Sequence, residues 1–248
     1  MNVQSEPTRF GMIHDAPVHM LPSERVLLYS MVFGVRPERC LEIGTLYGGS
    51  AMITVAALDD IGSGRLVCID PEPRVTPEVW AGVEHRATLL QGTSPEILPE
   101  AERTAGGKFE MALIDGDHSH AGVVRDVVGV MEVLADGGYM LMHDAHYGEV
   151  QEGIDEVLRE HSGTLVDCGM LSSASTPDAS AETVEWGGIR VLRMVSDGVA
   201  ATPPEPISAE EIEAARRAQA ALADVTGSAS WRMTAPLRAA KSALRRRR

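Results

Sequence analysis

Cys40-Leu41-Glu42-Ile43-Gly44-Thr45-Leu46-Tyr47-Gly48-Gly49-Ser50 is the stretch on which the fold turns. Its apolar start reads as a strand, its glycines as a tight loop, and the residues up to about Leu58 as a helix. Glycine in such a loop permits positive φ and lets backbone approach a ligand, while the helix start offers free N–H groups. The spacing is not the GxGxxG dinucleotide fingerprint, nor a phosphate loop closed by Gly-Lys-Ser/Thr. Glu42, inside the strand, is a poor neighbour for pyrophosphate and a good one for a cation.

Outward from this stretch, short apolar runs alternate with longer amphipathic ones between about 22 and 160, the pattern of repeated βα units on a parallel sheet. Arg65–Asp70, Ala87–Gln91, Phe109–Asp115 and Tyr139–Asp144 read as further strands, the last preceded by a Gly137-Gly138 turn. Helices are expected from a Ser23 cap to about Val32 with Gly34 as stop, over 77–85, over Val123–Leu134 and over 148–160. Gly163–Leu171 and Gly188–Met194, joined by a Ser/Ala-rich loop at 172–186, read as an antiparallel hairpin that ends the sheet. The expected class is therefore α/β: a Rossmann-like, doubly wound, seven-stranded sheet, mostly parallel with a C-terminal antiparallel hairpin. Residues 1–21 are read as an N-terminal lid or arm, 22–200 as the main domain, 201–206 as a Pro-rich linker, and 207–248 as a helix with a basic tail.

The 248 residues are 44% hydrophobic but only 4% aromatic, so the core must be built from Val, Leu, Ile, Ala and Met. No apolar run approaches bilayer length, and residues 1–9 lack a secretory layout; a cytoplasmic protein is expected. Three cysteines, none in a CxxC pair, make no disulfide framework. Net charge is −14, and the segment from Gly227 onward holds seven positive and no negative residues, which leaves about −21 on the rest. So acidic a body argues against nucleic acid as a substrate. The tail, with Trp231, Met233 and Leu237 among arginines, suits a peripheral membrane contact, docking on a neighbouring subunit, or disorder.

Asp70, ending the second strand, stands where a carboxylate grips a ribose diol in a doubly wound sheet, although Asp-Pro also makes a simple turn. Gln91-Gly92-Thr93-Ser94 can edge an adenine or cap a helix. Asp115-Gly116-Asp117-His118 and His143-Asp144 leave neighbouring strands at the carboxyl edge. Clustered charges there need compensation. Asp115, Asp144 and His143 are read as divalent-metal ligands, for Mg²⁺ or Mn²⁺. His118 is read as the general base, its ordinary pKa suiting proton transfer at neutral pH. The alternatives are a polar turn over Asp117–His120, a helix cap at Asp144 and a satisfied strand-end His143. His14 and His19 can line an acceptor pocket, while Trp80 and Trp186 read as packing residues.

CLEIGTLYGGS, VCIDPEP, LLQGTSPEILP and MALIDGDHSH, in this order over roughly residues 22–195, resemble class I S-adenosylmethionine-dependent methyltransferases. The likeness is to the metal-dependent O-methyltransferase branch of the macrocin, rhamnosyl and cephalosporin-hydroxylase-like proteins, and more distantly to catechol O-methyltransferase. It implies that Glu42 and Gly44 face the methionine part, Ser50 its carboxylate, Asp70 the ribose, and Thr93 and Ser94 the adenine. Thr45, Gly48 and Asp115 complete the cofactor set. It also implies a metal-assisted methyl transfer from S-adenosyl-L-methionine to a hydroxyl, of a sugar on a glycosylated natural product or surface glycan, by a homo-oligomer. His143 departs from the acidic residue common at its position, which tilts the metal toward Mn²⁺, Fe²⁺ or Zn²⁺. The rival functions are a catechol-type small-phenol methyltransferase and a non-catalytic cofactor-binding scaffold in glycan assembly.

Overall fold

The computed structural model describes residues 9–178 and 181–195 of the chain. The expected linker, C-terminal helix and basic tail lie outside these residues, as do positions 1–8 of the expected lid. The chain begins with α1 (Arg9–Asp15) and α2 (Pro22–Val35), then alternates β1 (Arg39–Ile43), α3 (Gly49–Ile61), β2 (Arg65–Asp70), α4 (Pro77–Ala81), β3 (Ala87–Gln91) and α5 (Leu98–Ala105). It continues through β4 (Phe109–Ile114), α6 (His120–Val133), β5 (Leu134–Met142), α7 (Gly148–Glu160) and β6 (Leu165–Ser172). The small ribbon β7 (Thr176–Asp178) and β8 (Ala181–Trp186) precedes β9 (Ile189–Met194).

The main sheet has seven strands in the order β3-β2-β1-β4-β5-β9-β6. β1, β2, β3, β4 and β5 pair in parallel, and β9 runs antiparallel to both β5 and β6. Strand order reverses at β1 and β4, whose carboxyl ends flank the crevice where a doubly wound sheet takes its ligand. Side chains of β1 alternate between two buried layers, as strands covered by helices on both faces must. Leu41 and Ile43 join the layer under α5, α6 and α7, and Cys40 joins the layer under α1, α2 and α3.

Several local expectations are corrected. The α2 helix is not capped by Ser23: it starts with Pro22 after Leu21, and the Glu24 carboxylate accepts the Leu21 N–H at 2.6 Å. Proline suits that first position because its missing N–H would have no partner there. Gly34 lies inside the helix, which stops at Arg36 in left-handed backbone. The helix expected over 77–85 is the single turn Pro77–Ala81. Gly137 and Gly138 do not precede β5 but sit within it, where the pairing to β4 shifts register and Gly137 takes positive φ. The 172–186 loop contains the β7–β8 ribbon. Among the described residues no helix is long and apolar enough to cross a membrane.

Candidate active site

The turn from β1 into α3 opens the site. Gly44 takes φ +86°, and a Cβ there would overlap the Asp115 carbonyl oxygen, so only glycine lets the loop pass the tip of β4. Asp70, at the tip of β2, steers the loop: its Oδ2 accepts N–H groups of Thr45 at 2.9 Å and Leu46 at 2.8 Å, and its Oδ1 that of Glu72 at 2.7 Å. These elements border a cavity of about 570 Å³ that runs from Thr93 and Ser94 past Asp70 to Asp115, His118, His143 and Asp144. Gly44, Thr45 and Ser50 also line it. Of the residues read as cofactor-binding, Glu42 and Gly48 do not. Glu42 is fully buried behind the loop; its oxygens meet no donor in good hydrogen-bond geometry, although the Thr45 and Ser50 hydroxyls stand beside them. Burial pushes its carboxyl up to about 7, against the opposing pull of the Thr45 and Ser50 hydroxyls. Gly48 starts α3 with positive φ against Val75 and Val79.

The histidines and carboxylates of β4 and β5 form one connected ring. His118 Nε2 lies 3.0 Å from Asp144 Oδ2 and 3.4 Å from Asp115 Oδ1. His143 Nδ1 lies 3.0 Å from Asp115 Oδ1 and 3.3 Å from Asp144 Oδ2, and its Nε2 stands 3.3 Å from Glu24 Oε2. Burial works against charge on both rings, but the surrounding carboxylates outweigh it. They raise His118 to about 9 and hold His143 well above its ordinary value. In turn the two rings hold Asp115 and Asp144 below the usual carboxylate range, despite burial. Asp144 sits at φ +52°, a left-handed geometry that Asp tolerates better than most side chains.

This arrangement alters the expected donor set. With both ring nitrogens turned to carboxylates, His143 braces Asp115 and Asp144. The donor atoms that converge within 4.8 Å of one another are those of Asp115, His118 and Asp144.

Three contributors carried no local signal. Glu24, fully buried on α2, accepts the Leu21 N–H and the Gly188 N–H at 2.5 Å besides facing His143. Arg25 donates to the carbonyls of Met20 at 2.8 Å, Val18 at 2.9 Å and Ala16 at 3.0 Å, and so fixes the 16–20 segment as a wall of the crevice. His19, in that segment, borders the crevice, whereas His14 is exposed beside Asp15. Tyr147 stacks on Trp186, ring centroids 4.4 Å apart, with His118 edge-on to Trp186 at 5.6 Å. Trp80 packs against the α3-side core. Trp186 packs too, but it also lines a second cavity of about 560 Å³ with Val18, Met20, Leu21 and Thr176, and this cavity meets the first at His118 and Asp144.

Residues 41–145 match a family model described as a methyltransferase domain. Among curated proteins, the chain is 30% identical over 100 residues to catechol O-methyltransferase B of Danio rerio, covering 38% of this chain and 37% of that one. It is 28% identical over 123 residues to rhamnosyl O-methyltransferase of Mycobacterium tuberculosis, covering 45% and 47%. The chain thus spans less than half the length of these relatives. Among solved structures it is similar to the O-methyltransferase TomG from Streptomyces achromogenes in complex with SAM, with a TM-score of 0.58, 18% identity and coverage of 77% and 92%. An O-methyltransferase from Bacillus cereus in complex with SAH gives 0.56, 16%, 79% and 94%. At such identities the structural likeness speaks for the fold, which is the Rossmann-like sheet of methyltransferases.

Proposed function

We propose, on the match of residues 41–145 to a methyltransferase domain, that the chain transfers a methyl group from S-adenosyl-L-methionine to a hydroxyl. The observation that carries the proposal is the meeting of two cavities at His118 and Asp144, one floored by the glycine loop and one walled by Trp186. The first takes the donor: its ammonium and sulfonium are cations, and Asp115 and buried Glu42 complement them. Ser50 and the free N–H groups at the start of α3 suit its carboxylate. Asp70 keeps lone pairs for the ribose after accepting three backbone donors.

The second cavity takes the acceptor. We assign it a sugar hydroxyl, an assignment supported by the similarity to rhamnosyl O-methyltransferase and by a ring-sized apolar wall beside polar groups. A phenol is the alternative, favoured by the similarity to catechol O-methyltransferase.

Asp115 and Asp144 offer carboxylate oxygens that would suit a divalent metal, beside a His118 ring nitrogen that is left for proton transfer. Such an ion, when bound, supplies Lewis-acid help in ionising an alcohol. His118, at the junction, is the group we assign to take the hydroxyl proton; Asp115 and Asp144 orient its ring but hold it protonated up to about 9, so it serves as base only above neutral pH or once a bound cation offsets their charge. Glu24 and Arg25 keep the neighbouring wall and His143 in place. Most of the acceleration comes from holding oxygen, methyl carbon and sulfur in line.

The test is a methyl-transfer assay over a panel of glycosides and catechols. His118→Ala is expected to lower turnover by roughly 10²- to 10⁴-fold while S-adenosylhomocysteine affinity stays within a few-fold. A wild-type chain that binds S-adenosylhomocysteine yet methylates nothing, with or without added divalent ion, favours the scaffold role. Full activity in excess chelator removes the metal from the proposal.

A further inference from the structure

We infer that His19 determines acceptor specificity: its ring receives a second hydroxyl of the acceptor, near the one that reacts, and so favours polyols over monohydroxy compounds. This inference rests on the reading of the second cavity as the acceptor's. His19 borders both cavities, a position it shares with Val18, His118 and Asp144. The other polar side chains around the second cavity are already engaged. Glu24 accepts the Leu21 and Gly188 N–H groups and faces His143. Asp144 accepts the Gly187 N–H at 2.6 Å and lies 3.0 Å from His118 Nε2, which also faces Asp115. Thr176 borders the second cavity alone, not the junction. The His19 ring makes no hydrogen bond or ion pair with any of the described residues. Its ring contact is Tyr47, with centroids 5.9 Å apart and planes tilted by 55°.

The chain fixes the place of His19 while leaving its ring open. Ala16 and Met20, on either side, are buried, whereas His19 itself is exposed. The Arg25 guanidinium gathers the carbonyls of Ala16, Val18 and Met20, so the backbone that carries His19 is held by one side chain. From the other side, Gly49 at the start of α3 meets the segment so closely that a Cβ there would stand 2.5 Å from the Pro17 carbonyl. A side chain on backbone already held in place loses less freedom when it binds. Neutral imidazole donates from one nitrogen and accepts at the other, and its cation donates from both. A hydroxyl does either, so the contact forms in each state of the ring. Because His19 is exposed, water replaces a missing hydroxyl, and the selectivity is that of one exchanged hydrogen bond rather than of a stranded buried group.

The experiment measures methyl transfer by the intact protein to methyl α-L-rhamnoside and to its monodeoxy analogues, with S-adenosylhomocysteine affinity followed by calorimetry. For the wild type, one analogue that keeps the reacting hydroxyl is expected to show a KM raised about three- to tenfold, with kcat little changed. His19→Ala is expected to raise KM for the parent rhamnoside by the same factor and to leave that analogue unaffected. His19→Gln, which keeps a donor and an acceptor, is expected to recover most of the loss, and S-adenosylhomocysteine affinity to stay unchanged in both variants. A His19→Ala variant that raises KM for every acceptor alike overturns the inference. So does one that weakens S-adenosylhomocysteine while acceptor KM holds. A wild type that binds S-adenosylhomocysteine but methylates catechols and none of the rhamnosides strikes the sugar assignment, and this inference with it.

Discussion

The two ends of the parallel strands carry cavities of similar size and opposite character. At the amino edge a space of about 690 Å³ lies among Arg39, Arg65, His85 and Arg86, larger than the 570 Å³ crevice at the carboxyl edge. Yet Arg39 there is paired with Glu110, and Asp59 takes both Arg86 at 2.5 Å and His85 at 3.0 Å. At the carboxyl edge the balance is different. Among the described residues, every buried side-chain atom without a partner belongs to Glu42, Thr45, Ser94, Asp126 or His146, all on or beside the loops that leave that edge. Size does not mark the site; the clustering of buried, incompletely satisfied polar groups does.

Paired substitutions test this contrast. Gly44→Ala forces a side chain into the Asp115 backbone at positive φ, and a loss on the order of 5 kcal/mol is expected, enough to unfold the chain or abolish ligand binding. Its counterpart Gly106 has similar φ but open space around it, so Gly106→Ala should cost about 1–2 kcal/mol. Denaturant titration of both variants measures the gap, and equal losses would erase the distinction between the edges.

Next in size, Glu24→Ala leaves two backbone N–H groups and the His143 ring without their acceptor. A loss of about 3–5 kcal/mol is expected. Arg39→Ala, which breaks a pair that is more than a quarter exposed on each side, should cost at most about 1 kcal/mol. Thermal melts at 2–4 °C per kcal/mol would resolve the two.

A further effect has the opposite sign. Glu42, raised to about 7 in the folded chain, lends stability that is complete below its unfolded pKa near 4.5 and is lost as pH rises through 7. Glu42→Gln should therefore stabilise the ligand-free chain by up to about 3 kcal/mol at pH 8, and by little at pH 4.5, while weakening affinity for the cationic donor. A melting temperature that does not rise at pH 8 would show that Glu42 is not strained by its burial.

What was legible in the sequence follows the same division. Arg65–Asp70 and Ala87–Gln91 are read to the residue because turn formers bracket continuous apolar runs, and the glycine loop is read because left-handed backbone restricts its residue types. Asp115, His118 and Asp144 were legible as polar residues that end apolar strands. The α5 helix went unread, since eight residues with three buried positions make too short a pattern. Glu24 and Asp126 were illegible for a different reason. Each is one acidic residue on an amphipathic helix, indistinguishable in sequence from a solvated position until the fold brings it against a partner or a cavity. The reading of His143 as a ligand shares that cause, because its second partner, Glu24, is 119 positions away.

The longest of these ties bears on synthesis. Glu24 meets the Gly188 N–H across 164 positions, and β9 fills the slot between β5 and β6. A chain emerging from the ribosome therefore has an open β5 edge and a loosely held Glu24 until the segment near 188 is released, non-local closures that slow folding. Nascent chains stopped short of that point carry every strand tip that bears an acid or histidine, but not the clasp that aligns them. The arrangement ties competence to synthesis of the segment near 188.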